Sequence, residues 1–139
     1  MKFLIVVGFM ISQVSISFSQ EKFDSKIILT LKDTTGIYLN TKIAMVNSDF
    51  IVKDNYNKDT LTTYTRELNK MPGYIIARAV ITGNTVTFTG VYGLKRINDW
   101  GYNSLPTNYN RIIYYKGSKT WLILMDIAKK ITGEINFAK

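Results

Sequence analysis

The sequence predicts an all-β domain with little helix, an antiparallel β-sandwich or a small β-barrel built from hairpins. Three observations carry that expectation. Runs rich in Val, Ile, Thr, Phe and Tyr recur from residue 26 onward, several of them alternate apolar and polar residues with period two, and Thr-Gly, Gly-Asn and Gly-Ser pairs separate them.

The first nineteen residues stand apart. Lys2 precedes the apolar run Phe3 to Ile11, and a small and polar stretch ending in Ser17, Phe18 and Ser19 follows. That layout predicts a signal peptide cleaved before Gln20, which makes the protein secreted or periplasmic. The apolar run is about half of the ~20 residues that cross a hydrocarbon core, so no transmembrane anchor is expected. A single β-rich domain is predicted for residues 20–139.

Within that domain, "KIILTLK" (26–32) reads as a strand. "DTTG" follows as a turn, and "IYLNTKIAMV" (37–46) reads as a second strand with Ile37, Leu39, Ile43 and Met45 on one face. The stretch "ILTLKDTTGIYLNTKIAMVN" thereby resembles the first hairpin of transthyretin-like and carboxypeptidase-regulatory-like β-sandwiches. The small residues those families carry after the turn are here Leu39, Asn40 and Thr41, and no membership is drawn from the resemblance.

Residues 53–60 read as an exposed loop, and "LTTYTRELNKMPG" as a short helix or irregular crossing that ends at Pro72-Gly73. The clearest hairpin is 73–95, with Gly83-Asn84 at its turn. On its second arm Val86, Phe88 and Tyr92 alternate with Thr85, Thr87 and Thr89. A third hairpin is expected from "RIIYY" (111–115) and "TWLILMDIA" (120–128) across Gly117-Ser118. Asp126, Lys129 and Lys130 also fit a polar helical stripe, but the β-branched and aromatic residues favour a strand. "ITGEINFAK" closes the chain as a last strand.

Composition narrows the chemistry. There is no His and no Cys, which removes Ser-His-Asp and Cys-His catalysis, imidazole-based acid–base work, disulfides and His- or Cys-ligated zinc. Neither a P-loop nor a G-x-G-x-x-G fingerprint occurs, so no nucleotide cofactor is expected. Asn55, Asn57 and Asp59 alternate like calcium ligands, but Thr60 and Arg66 stand where an EF-hand needs Gly and Glu, and no metal site is expected. The only carboxylate pair open to hydrolytic chemistry is Asp99 with Asp126, and a non-enzyme is expected.

The formal charge of +8 falls to +7 after cleavage, because Lys2 is the one charged residue removed. Such a basic chain favours anionic partners. Its Lys and Arg are spread along the sequence, so nucleic acid is not expected; a glycan, another anionic envelope component or a protein partner is.

The functional candidate is the loop "NDWGYNSLPTNYNR" (98–111). Asp99, Trp100, Tyr102, Asn103, Tyr109 and Arg111 are its expected ligand-binding residues, with aromatic faces for sugar C–H surfaces and polar groups for hydroxyls; the alternative is structural, with Asn, Gly and Pro shaping turns and Trp or Tyr pinning a long loop onto the sheet. The sequence thus predicts a binding or interaction module. Its alternative is a small barrel that carries an apolar or amphipathic ligand, lined by Phe88, Tyr92, Trp121, Ile123 and Met125. Arg78, inside the apolar run "YIIARAVI", is read as salt-bridged or exposed on a sheet face, with contact to an anionic ligand inside such a barrel as the alternative.

Overall fold

The computed structural model describes residues 20–139, so the expected signal peptide lies outside the described residues. The order of elements is β1 (Lys26–Thr30), α1 (Ile37–Val46), β2 (Thr60–Thr62), β3 (Arg66–Glu67), β4 (Gly73–Thr82) and β5 (Thr85–Leu94). Then come β6 (Arg96–Ile97), β7 (Asn103–Ser104), β8 (Asn110–Arg111), α2 (Lys119–Lys129) and β9 (Glu134–Ala138). The chain is mostly sheet, and every strand pairing is antiparallel.

The predicted hairpin at 73–95 is the centre of the molecule. β4 and β5 stay in register over their whole length, from Gly73 opposite Leu94 to Thr82 opposite Thr85. Gly83 makes the turn with φ 59°, a left-handed conformation that Gly adopts without steric cost. The sheet runs β2-β4-β5-β1-β9, with β3 added to β4 and β8 to β5. Its two ends do not meet, so the closed barrel offered as one form of the fold is not built.

Alternation along the strands divides the sheet into two faces. Ile27 and Leu29 of β1, Ile75, Ala77 and Ala79 of β4, and Val86 and Phe88 of β5 are buried on one face. Helix α2 covers it with Trp121, Leu124, Met125, Ile127 and Ala128, and α1 adds Thr41, Ala44 and Met45. Phe88, Trp121 and Met125, expected to line a ligand cavity, are instead packed in this core. Gly90 lets α2 approach closely: a Cβ there would lie 3.2 Å from Leu124 Cδ2 and 2.8 Å from Ile112 Cδ1.

Two segments expected as strands are helices. Residues 37–46 form α1, whose buried positions Thr41, Ala44, Met45 and then Ser48 follow helical spacing. Leu39, Ile43 and Val46 are exposed on its other side. With apolar residues all round, the true period was hidden and a chance alternation stood out. The hairpin resembling the transthyretin-like sandwiches is therefore absent, and "DTTG" leads into a helix.

Residues 119–129 form α2, not the second arm of a hairpin. Ser118 caps it, its Oγ accepting a hydrogen bond from the Trp121 N–H at 3.3 Å. Asp126, Lys129 and Lys130 are the exposed stripe. Of the strand expected at 111–115, only Arg111 belongs to β8. The segment beyond it bonds to the sheet and the N-terminal turn, through Ile112 N–H to Gly90 and Tyr114 N–H to Asp24.

The stretch 61–72, expected as a helix or irregular crossing, contributes β2 and β3. The two are separated where Thr63 Oγ1 accepts from the Ala77 N–H, a bond that keeps the Thr63 side chain satisfied in a buried position.

Candidate functional site

The 98–111 loop is a small structure of its own, built at the end of β5. β6 and β7 pair with Arg96 opposite Ser104 and Ile97 opposite Asn103, which makes residues 96–104 a hairpin. Asn98 shapes its tip. Its Oδ1 accepts from the Trp100 N–H at 3.1 Å and the Tyr102 N–H at 2.9 Å, and its own N–H donates to the Tyr102 carbonyl. Gly101 provides the left-handed residue that the turn needs, at φ 78°.

Fixing the backbone in this way presents the aromatic side chains outward. Trp100 is 84% exposed and Tyr102 71%. Large apolar side chains of this kind leave water on folding where the fold allows it, since burying one is worth about 1.5–3 kcal/mol. Here the tip holds them in solvent. Ile97 and Leu105, also exposed, extend the apolar character of the same hairpin.

The return from the hairpin is anchored. Pro106 is buried against Gly93, and Arg96 Nη1 donates to Thr107 Oγ1 at 3.0 Å. Of the expected site residues, Asp99, Trp100, Tyr102 and Asn103 thus share the hairpin tip and its second strand, and all four are exposed. Tyr109 is half-buried beyond the Pro106 anchor. Arg111 lies on β8 opposite Val91, apart from the tip.

Asp126 stands on the solvent side of α2 and Asp99 on the hairpin. Among the described residues there is no group of three or more His, Cys, Asp or Glu side chains placed to hold a metal ion. The 55–59 segment bonds itself instead: Asn57 Oδ1 accepts from the Asp59 N–H and Asn55 Nδ2 donates to the Thr60 carbonyl. No helix among the described residues is long and apolar enough to cross a membrane.

A groove of about 1290 Å³ opens elsewhere, where α1 faces the residues after α2. Asn40, Ile43, Asn47, Asn84, Lys130 and Glu134 are among its lining residues, and none of the sequence-predicted site residues belongs to it. Asn84 bonds the Leu31 carbonyl there through Nδ2. The sequence carries no signal for this groove, because it is assembled from a helix with strand-like patterning, a turn residue of the central hairpin and the segments that follow β1 and α2.

No family model matches this chain, and neither a curated protein nor a solved structure gives a significant match.

Proposed function

We propose that the protein is a non-enzymatic binding module, exported from the cytoplasm, whose 96–104 hairpin engages an envelope glycan or a protein partner. The observation that carries this reading is the exposure of Trp100 and Tyr102 at 84% and 71% on a turn whose backbone is held by the Asn98 side chain. A preorganised aromatic pair binds without the entropic cost of ordering a loop. Trp and Tyr supply both flat apolar faces for sugars and polar tips for hydroxyl groups, and Asp99 and Asn103 beside them add acceptors and donors.

A protein partner is favoured by a second observation. Leu94, Ile97 and Leu105 are 61%, 74% and 58% exposed around the same hairpin. Aromatic and aliphatic side chains together are the composition of an interface core, with a polar rim around it.

The test is calorimetric titration of the protein with soluble envelope oligosaccharides, for the native sequence and for Trp100→Ala and Tyr102→Ala. Saturable binding weakened about tenfold or more by either substitution is expected, because central aromatic contacts are typical hot spots. Oligosaccharide binding that both substitutions leave intact would overturn the hairpin as its site.

A further inference from the structure

The face of the sheet turned away from the helices carries three cations that the sequence scatters and the topology gathers. Arg78 on β4 is opposite Thr89 of β5, and Arg111 on β8 is opposite Val91 of the same strand. Lys26 begins β1 one residue before Ile27, the partner of Phe88, so that continuing the register brings it beside Thr89 from the other side. Alternation turns all three away from the core, and all three are exposed.

Arg78 and Arg111 flank β5 from opposite sides and two residues apart, roughly 12 Å between Cα atoms at ordinary strand spacings. Neither arginine nor Lys26 makes an ion pair or a side-chain hydrogen bond among the described residues; the ion pairs there join Lys42 to Asp54, Arg66 to Asp49, Lys95 to Glu67 and Lys139 to Glu21. The acids that share this face, Glu67 opposite Tyr74 and Glu134 opposite Thr30, stand toward its ends, and Glu67 is already held by Lys95.

We infer that this open face, centred on Thr89 and framed by Lys26, Arg78 and Arg111, binds an acidic polysaccharide. Three uncompensated positive charges on one face, in a chain of formal charge +8, make a local field that attracts an anionic polymer. The guanidinium groups offer paired donors that match carboxylate or sulfate groups. The hydroxyl of Thr89 lies between them, and those of Thr62, on the far side of Arg78, and Thr87, the next outward residue of β5, flank the frame; all three suit sugar hydroxyl groups.

The other anionic occupants fit less well. Ile28, Ile76, Val80 and Val91 on this face are half-buried and stand among threonines and cations, an arrangement that offers a bilayer little apolar area. Tyr74 lies toward one end, opposite Gly93, and the centre has no aromatic platform on which nucleic-acid bases stack. The proposal does not rest on the hairpin, whose Trp100 and Tyr102 are separate from these three cations.

The experiment is calorimetry of the protein with polygalacturonate, with neutral dextran as the uncharged comparison. Arg78→Gln and Arg111→Gln are measured beside Lys58→Gln and Lys70→Gln, which remove exposed cations from loops away from the face. The expected result is binding to polygalacturonate alone, screened by salt, and weakened about tenfold or more by each arginine substitution, the loss of a charge-assisted contact. The loop lysine variants should bind nearly as the native protein does.

Absence of binding would overturn the inference, as would equal weakening by all four substitutions, which would reduce the attraction to net charge. Tighter binding of single-stranded DNA or of anionic phospholipid vesicles through the same two arginines would overturn the polysaccharide as the occupant. Circular dichroism of each variant separates lost binding from lost folding, and two independent arginine positions keep the test decisive if one variant misfolds.

Discussion

Pro106 packs against the bare Cα of Gly93: a Cβ built at Gly93 would stand 2.5 Å from Pro106 Cβ and 2.9 Å from the Asn108 carbonyl oxygen. This contact fastens the 105–109 segment to the end of β5 and sets where the 96–104 hairpin leaves the sheet. Gly93→Ala must therefore push the loop away. We expect a loss of about 1–3 kcal/mol, the usual cost of overpacking, in urea unfolding. A variant as stable as the native protein would mean that the loop is not anchored there.

Asn98 prepares the tip in a different way, by bonding two backbone N–H groups from one side-chain oxygen. Asn98→Ala should change global stability by less than about 1 kcal/mol, since the bonds are exposed. It should nevertheless speed hydrogen exchange at the Trp100 and Tyr102 amides and weaken any ligand that the hairpin binds. Unchanged exchange at both amides would contradict the role assigned to the Asn98 side chain.

Helix α2 depends on its cap. Ser118 is buried, and its Oγ accepts from the Trp121 N–H at 3.3 Å. Ser118→Ala removes that acceptor and should cost about 0.5–2 kcal/mol. The urea midpoint should fall with the slope unchanged, because α2 remains packed on the sheet in the folded variant.

The entrance to α1 carries a pH signature. Asp33 accepts a hydrogen bond from the Thr35 N–H at 2.8 Å, and hydrogen bonds from Thr35 hold its carboxyl below the ordinary value of 3.8. A carboxylate with a lowered folded-state pKa stabilises the fold above its unfolded value and loses that contribution as pH falls through the folded one. The Asp33 carboxyl, followed by NMR, should titrate below 3.8, with the Thr35 amide shifting in parallel. A midpoint at or above that value would show that the turn does not favour the charged form.

The sequence made the central hairpin legible because its signals are local. Gly83 and Asn84 mark the turn, and Val86, Phe88 and Tyr92 alternate with threonines that remain on the open face. The two helices are concealed in the sequence pattern for physical reasons. In α1 the exposed Leu39, Ile43 and Val46 erased the polar stripe that normally reveals a helix. Around α2, Gly117-Ser118 has the chemistry of a hairpin turn and of a helix cap alike, and the Asp126, Lys129 and Lys130 spacing was the signal that distinguished them.

The candidate sites divide along the same line. The hairpin residues Asp99 to Asn103 are neighbours in the chain, so their grouping was readable before the fold. Lys26, Arg78 and Arg111 meet only because β1, β4 and β8 all pair with β5. Their sequence spacing looked like dispersed surface charge, and pairing alone made it a patch.

Trp100 is also the natural reporter of its own site, since the second tryptophan, Trp121, is buried beside Tyr114 and Phe137. The most direct measurement is the emission of Trp121→Phe, in which Trp100 is the only indole, titrated with soluble envelope oligosaccharides. Before addition the spectrum should be that of a solvent-exposed indole. A saturable blue shift, absent when Asn98→Ala or Tyr102→Ala is added to that background, is the result the hairpin account predicts. Binding detected by calorimetry under the same conditions, with the Trp100 spectrum unmoved, would contradict it.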